Sequence, residues 1–296
     1  MHTYAASYGA EYILDPTWQE AIRKSAMKQI EYSMGTLPEP EVTRQAAAKL
    51  SDMQRKNEVE TASLHLPFYP FDQWAYTSED NGVRKKTIQK TLEYMRHFES
   101  LEIRQITIHC GGEPNLPSER KRKMESMRRT CEDLLPLLEQ WDASLNLELL
   151  PRSCIGNSFD DLEYILAGFP ERHFGICFDV NHLLGEVETV PDKIRKYGAR
   201  IRTFHISDYD NIDECHWHVG EGALNWPEII QAVRSLPHDV LLILETGKLH
   251  APQNGRRIDS KYVVQSSEND AMHMEFASEL ETFHERMNRT SYANIK

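Results

Sequence analysis

Six short apolar runs in this chain end in, or carry, a residue able to do acid–base or metal chemistry. Glu60–Leu66 contains His65, and Arg104–His109 ends in His109. Glu148 sits in Leu-Asn-Leu-Glu-Leu-Leu, and Phe174–Asp179 ends in Asp179 with His182 three residues on. His205 closes another run and is followed by Asp208, while Leu-Leu-Ile-Leu leads into Glu245. Histidine is the commonest metal ligand and general base. Glu148 and Glu245 are the most telling members, because no Lys or Arg precedes them in their runs. Burying an unpaired carboxylate costs several kcal/mol, so each needs a cation or hydrogen-bond donors. A lone His at a strand end is usually hydrogen-bonded structure, and an Asp there is a common turn former. One divalent cation accounts for all six positions at once. Two Glu, one Asp and one His make a hard, oxygen-rich set suited to Mn²⁺ and compatible with Mg²⁺, Co²⁺ or Zn²⁺. The lack of Cys in the set argues against a structural zinc site.

These residues have to be delivered by a scaffold. Strand-like runs at 2–8, 30–33, 60–66, 104–109, 145–150, 174–179, 201–206 and 240–244 alternate with helical patterns at 16–28, 38–55, 87–99, 123–141, 159–167, 191–197, 226–235 and 268–287. Pro136 is expected to interrupt the fifth of those helices. Eight strands, each followed by helical sequence, predict right-handed βαβ units and a closed (β/α)8 barrel forming one domain over residues 1–296. An open doubly wound sheet would carry a Gly-rich phosphate loop, and neither GxGxxG nor GxxxxGK occurs. In a parallel barrel the chemistry sits at the C-terminal strand ends, where the six acidic and His residues lie. Two loops join them there. Leu66–Tyr76 carries Phe68 and Trp74, whose rings can cover the apolar face of a sugar. The polar 246–266 stretch, an extended loop after the eighth strand, carries Lys248 and Arg256 and can meet a phosphate or carboxylate.

Composition bounds the partners. The chain has 296 residues with 34 Lys+Arg against 46 Asp+Glu, a net charge of −12. That surplus opposes general binding to nucleic-acid backbones or anionic membranes. The basic run Arg120–Lys123 reads as a solvated helix face beside Met124, Met127 and Leu134. Five Cys with no CxxC pair fit a reducing compartment. No apolar run reaches the roughly 18 residues of a membrane span, and the N-terminus lacks the pattern of a signal peptide. A cytoplasmic protein acting on a small molecule is expected, and the aromatic loop makes a homo-oligomer plausible. Thirteen His are present, and five of them (His65, His109, His182, His205, His216) fall on the expected rim.

The ordered set Glu148, Asp179-Val-Asn-His182, His205-Ile-Ser-Asp208, His216-Trp-His-Val-Gly-Glu-Gly222 with Asn225-Trp226, and Glu245 resembles the xylose isomerase-like TIM barrel superfamily. That superfamily holds sugar and sugar-phosphate isomerases and epimerases, inosose dehydratases and the endonuclease IV branch. The resemblance covers roughly residues 2–290. Its ketose 3-epimerases imply one metal ion on Glu148, Asp179, His205 and Glu245. They also imply that Glu148 and Glu245 act as the acid–base pair and that His182 contacts substrate oxygens. Tyr209-Asp210-Asn211 stands where that group has a substrate-binding Arg. The endonuclease IV branch implies a trinuclear zinc set adding His65, His109, His182 and His216, from which Glu214-Cys-His216 departs by replacing Asp-x-His. The resemblance therefore implies an isomerase or epimerase working through an enediolate. A dehydratase or keto-glycoside lyase, and a zinc phosphodiesterase, are the alternatives. His65, His109, His182 and His216 would bind substrate or further metal.

Overall fold

A computed structural model describes residues 3–24, 27–35, 39–217 and 219–246. The strands are β1 (Thr3–Tyr8), β2 (Gln29–Ser33), β3 (Glu60–His65), β4 (Gln105–Ile108), β5 (Ser144–Glu148), β6 (Phe174–Asp179), β7 (Ile201–Ile206) and β8 (Leu241–Leu244). They pair in parallel in chain order, and β8 closes on β1. The chain is thus the eight-stranded barrel that the alternation predicts. The helices that connect the strands include α1 (Ala10–Ile13), α2 (Pro16–Lys24), α3 (Pro40–Arg55), α4 (Asn81–Met95), α5 (Pro117–Trp141), α6 (Phe159–Leu166), α7 (Val190–Tyr197) and α8 (Trp226–Arg234). The helix expected at 268–287 and the 247–266 stretch, with Lys248 and Arg256, lie outside the described residues.

Two helices differ from expectation. Helix α4 begins six residues earlier than the apolar spacing predicts, because the Asp80 carboxylate accepts the N–H groups of Gly82 and Val83 and caps it there. Helix α5 starts at Pro117 and runs unbroken through Pro136. Pro136 is exposed, so the carbonyl it leaves unpaired faces solvent, while Leu134 and Leu138 on the inner side stay buried. The basic run lies in the first turns of α5 and braces the barrel top. Arg120 donates to the carbonyls of Ser153 and Cys154 and pairs with Asp161, and Arg122 pairs with Glu79.

Period-two alternation sorts each strand. Ile30, Tyr32, Leu64, Ile106, Ile108, Leu145, Leu147, Phe174, Ile176, Phe178, Phe204, Leu242 and Leu244 belong to the main core packed with the helices. The alternate residues line the barrel interior, and many are polar: Ser7, Glu31, Ser63, Thr107, Asn146, Glu148, Asp179, Thr203 and His205. Two register shifts feed this interior. Between β2 and β3, Ile30 pairs with Thr61 but Glu31 pairs with Ser63, leaving Ala62 extra. Between β6 and β7, Ile176 pairs with Ile201 but Cys177 pairs with Thr203, leaving Arg202 extra. A bulge of this kind changes which face the following residues present. Both shifts lie just upstream of a rim histidine, His65 on β3 and His205 on β7.

Candidate metal centre

Glu148 ends β5 and is 2% exposed, with an imidazole on every side. Its Oε2 lies 3.0 Å from both His65 Nε2 and His109 Nε2. Its Oε1 lies 3.2 Å from His205 Nδ1 and 3.7 Å from His182 Nδ1. Burial opposes its charge, but His109 and His205 outweigh that and hold the carboxyl well below the usual carboxylate range. Glu245, just past β8, places Oε2 2.9 Å from His205 Nδ1. Desolvation likewise opposes its charge, yet the carboxyl is held at about 2, chiefly by His205. His205 is fully buried among these carboxylates, and their charge raises its pKa well above the usual value despite desolvation.

Asp179 is the member without enough partners. One oxygen accepts the Asn181 N–H at 2.7 Å. The other, Oδ2, is buried without a hydrogen-bond partner, with His182 Nε2 3.4 Å away. Burial pushes this carboxyl up to about 6. The ligand atoms of Glu148, Asp179, His205 and Glu245 all lie within 4.8 Å of one another. Three hard carboxylates and one imidazole converging on a buried, orphaned oxygen fit a divalent cation.

Two further donor groups flank this set: His65, His109 and Glu148 on one side, and Asp179, His182 and His216 on the other. Backbone carbonyls orient their rings. Nδ1 of His65 meets the Leu66 carbonyl at 2.8 Å, Nδ1 of His182 meets that of Leu149 at 2.7 Å, and Nδ1 of His216 meets that of Glu245 at 3.2 Å. An Nδ1–H donated to a carbonyl leaves Nε2 as the ring nitrogen available to a metal or substrate. Glu214 also approaches His182 Nε2, at 3.6 Å, and pairs with Arg152 on its outer side. Arg152 additionally pairs with Glu113 and Asp213.

Among the described residues, Phe68 gives the mouth an aromatic wall. Half-buried Phe68 stacks on His109 with centroids 4.2 Å apart and meets His65 edge-on at 5.4 Å. Trp74, expected on the same rim, is instead buried against α4. Its ring meets Tyr94 edge-on, and the Lys90 ammonium stands 4.0 Å from the ring centroid. The structure therefore brings together eight of the sequence-selected site residues and adds Phe68 at their edge.

Two interior residues escape the sequence reading. Cys177 on β6 shares a donor group with Glu148 and His205, its thiol pushed up to about 12 by burial. Glu31 on β2 is fully buried, with Oε1 3.3 Å from His205 Nε2. Its position between Ile30 and Tyr32, in a strand buried on both faces, was the available signal. The desolvation cost that singles out Glu148 and Glu245 applies there equally.

A model of the xylose isomerase-like TIM barrel family matches residues 5–262. An uncharacterized protein, MJ1311, from Methanocaldococcus jannaschii is 22% identical over 219 residues, covering 72% of this chain and 73% of that protein. Among solved structures, a D-tagatose 3-epimerase-like protein superposes with a TM-score of 0.73 at 19% identity, covering 98% of this chain and 99% of the other. The D-psicose 3-epimerase of Clostridium cellulolyticum H10, solved with D-tagatose, gives a TM-score of 0.70 at 14% identity, covering 95% and 97%. At these identities the superpositions speak for the fold, whereas the family match runs from the first strand to beyond the eighth. The chain belongs to the xylose isomerase-like TIM barrel family.

Proposed function

We propose that this barrel is a divalent-metal-dependent sugar isomerase or epimerase that moves a proton on the carbon beside a carbonyl. The observation that carries the reading is the convergence of Glu148, Asp179, His205 and Glu245 on one point, with Asp179 Oδ2 left unpartnered. These four residues would hold the ion, with Mn²⁺ the best match to the donor set and Mg²⁺, Co²⁺ or Zn²⁺ compatible. When bound, such an ion supplies Lewis-acid stabilisation of the charge that develops on the sugar oxygens. The family's epimerase structures support a sugar as substrate.

The chain's own residues then handle the proton. Glu148 and Glu245 stand on strands three apart around the mouth, so they reach a substrate from different sides. Both are held ionised, which is the state a base needs. One takes the proton from the carbon beside the carbonyl and is itself protonated, leaving an enediolate; the other takes a proton from solvent and passes it to the enediolate, and the first then releases its proton to solvent. His65 and His182, with Nδ1–H given to a carbonyl, present Nε2 toward the same space and can accept from sugar hydroxyls, and His109 presents its Nε2 there too. Phe68 shields the site from water on the β3 side. A dehydratase or keto-glycoside lyase would share the enolisation and differ in what leaves afterwards.

The test is solvent exchange. The Mn²⁺-loaded protein in D₂O is expected to wash deuterium into D-tagatose, D-psicose or D-fructose at the carbons flanking the carbonyl. Retention of every C–H bond across a panel of ketoses and keto-glycosides would reject enolisation.

A second reading has one specific observation in its favour. Glu148 is shared by three of the four donor groups and Asp179 by two, so each could bridge a pair of ions. That is the arrangement of a trinuclear zinc phosphodiesterase. The net charge of −12 opposes a DNA substrate. One ion per chain by elemental analysis, with abasic-site DNA left intact, decides for the sugar enzyme. Three zinc ions and strand cleavage decide against it.

A further inference from the structure

We infer that Glu31 is a positioning residue: it takes the Nε2–H of His205 and so keeps Nδ1 of that ring turned toward the ion site. The inference rests on the metal-dependent reading above and adds a residue outside the ligand set.

Glu31 lies on β2 beneath the mouth and is fully buried, so it has no path to substrate. Hydroxyls from three other strands fix it. Ser7 Oγ on β1 donates to Oε1 at 3.1 Å, and Ser63 Oγ on β3 donates to Oε2 at 2.6 Å. Thr107 Oγ1 on β4 lies 3.5 Å from Oε2. The register shift in β3 places Ser63 opposite Glu31. Oε1 then faces His205 Nε2 across 3.3 Å.

His205 differs from the other oriented rim histidines. His65, His182 and His216 rest Nδ1 on a backbone carbonyl and offer Nε2. His205 is reversed: Nδ1 faces Glu148 and Glu245, and Nε2 is the rear nitrogen. Nε2 is buried and makes no hydrogen bond of full geometry among the described residues, and the Glu31 carboxylate at 3.3 Å is the acceptor that faces it. A carbonyl could orient the ring, but a carboxylate does more. It fixes the tautomer and also raises the basicity of the opposite nitrogen toward a metal. An ionised group costs more to bury than a neutral acceptor, and three donated hydroxyls offset part of that cost. Such an expense in the barrel floor is accounted for by a ring whose orientation matters.

The test uses the full chain and the metal alone. Glu31→Gln keeps the shape but turns either an amide N–H or a neutral oxygen to Nε2. It should weaken Zn²⁺ and Mn²⁺ binding by about 10–100-fold in chelator competition. Glu31→Asp should recover part of that loss. Long-range ¹H–¹⁵N spectra of the unmutated Zn²⁺-loaded protein should show His205 protonated at Nε2 and unprotonated at Nδ1, which decides the matter even if Glu31→Gln does not fold. Wild-type affinity in Glu31→Gln, or a His205 ring unprotonated at Nε2, overturns the role of Glu31 and leaves the metal site standing. Failure of the unmutated protein to bind any divalent ion overturns both.

Discussion

Glu148 and Glu245 carry the same side chain but meet different surroundings. Glu148 is nearly inaccessible and hemmed by imidazoles, while the Glu245 side chain is 33% exposed at the mouth. Replacing either by Gln keeps its volume and removes its ability to accept a proton. Each variant should lose about 10²–10⁴-fold in kcat, the usual worth of a general acid or base. Each replacement should also weaken ion binding, because it exchanges a carboxylate of the donor group for a neutral amide. Steady-state kinetics beside metal analysis separates the two effects. The ion itself should be pH-sensitive. Asp179 is pushed up to about 6 by burial, and His205 is raised well above its usual value. Both must give up protons to bind a cation, so uptake releases protons and affinity rises with pH. The expected gain is about tenfold per pH unit for each proton released, with binding lost as pH falls below about 6. Calorimetry at neutral pH in buffers of different ionisation enthalpy would check this, and buffer-independent heats would contradict it.

At the scale of elements, the loop between β7 and α8 shows how a motif becomes geometry. Asp208, fully buried after β7, accepts N–H groups from Tyr209 at 2.9 Å, Gly220 at 2.9 Å and Leu224 at 3.2 Å, and the Trp226 indole at 2.8 Å. It also pairs its backbone with Trp217, which fixes the neighbouring His216 over the mouth. Gly222 is required by the close approach: a Cβ there would stand 2.2 Å from Asp208 Oδ1 and 2.3 Å from the Tyr209 carbonyl oxygen. Gly222→Ala must therefore push the loop off the carboxylate and leave buried donors unpaired, a loss of about 2–3 kcal/mol. That is about 5–10 °C in Tm for a domain near this size. Thermal melts and limited proteolysis between 209 and 225 would read it; an unchanged melt would show that the loop is looser than drawn. The histidine-rich motif was visible in the sequence. Asp208 as its organising acceptor was not, because its donors come from as far as Trp226.

For the whole molecule, apolar packing lies between the strands and the helices, and much of the barrel interior is given to polar residues. Such an interior holds like charges near one another, and a bound cation relieves that repulsion. Loading with Mn²⁺ or Zn²⁺ at about 100 times Kd should add about 2.7 kcal/mol. The melting temperature should rise by about 5–10 °C and fall back on chelation. Differential scanning calorimetry with and without chelator measures this, and no shift with any divalent ion would count against the centre. No helix among the described residues is long and apolar enough to cross a membrane.

Strand order, barrel closure and the principal donors could be read from residue order, since a parallel barrel puts strand-end residues on one rim whatever the loops do. Glu148 and Glu245 stood out because a charged side chain in an apolar run has few explanations, whereas Asp179 and His205 stood out only by their place at strand ends and by the family resemblance. Helix starts were less so, as at Asp80, where a side-chain cap outweighed the hydrophobic period. The pairing of particular atoms belonged to the folded chain. Glu31 reads as an ordinary strand carboxylate until β3 brings Ser63 beneath it and β7 brings His205 above it, and Trp74 reads as a rim residue until α4 claims its ring. Local sequence sets which side chains can be buried. Which partner each one meets depends on register, and register here turns on two single-residue shifts produced by pairing between strands.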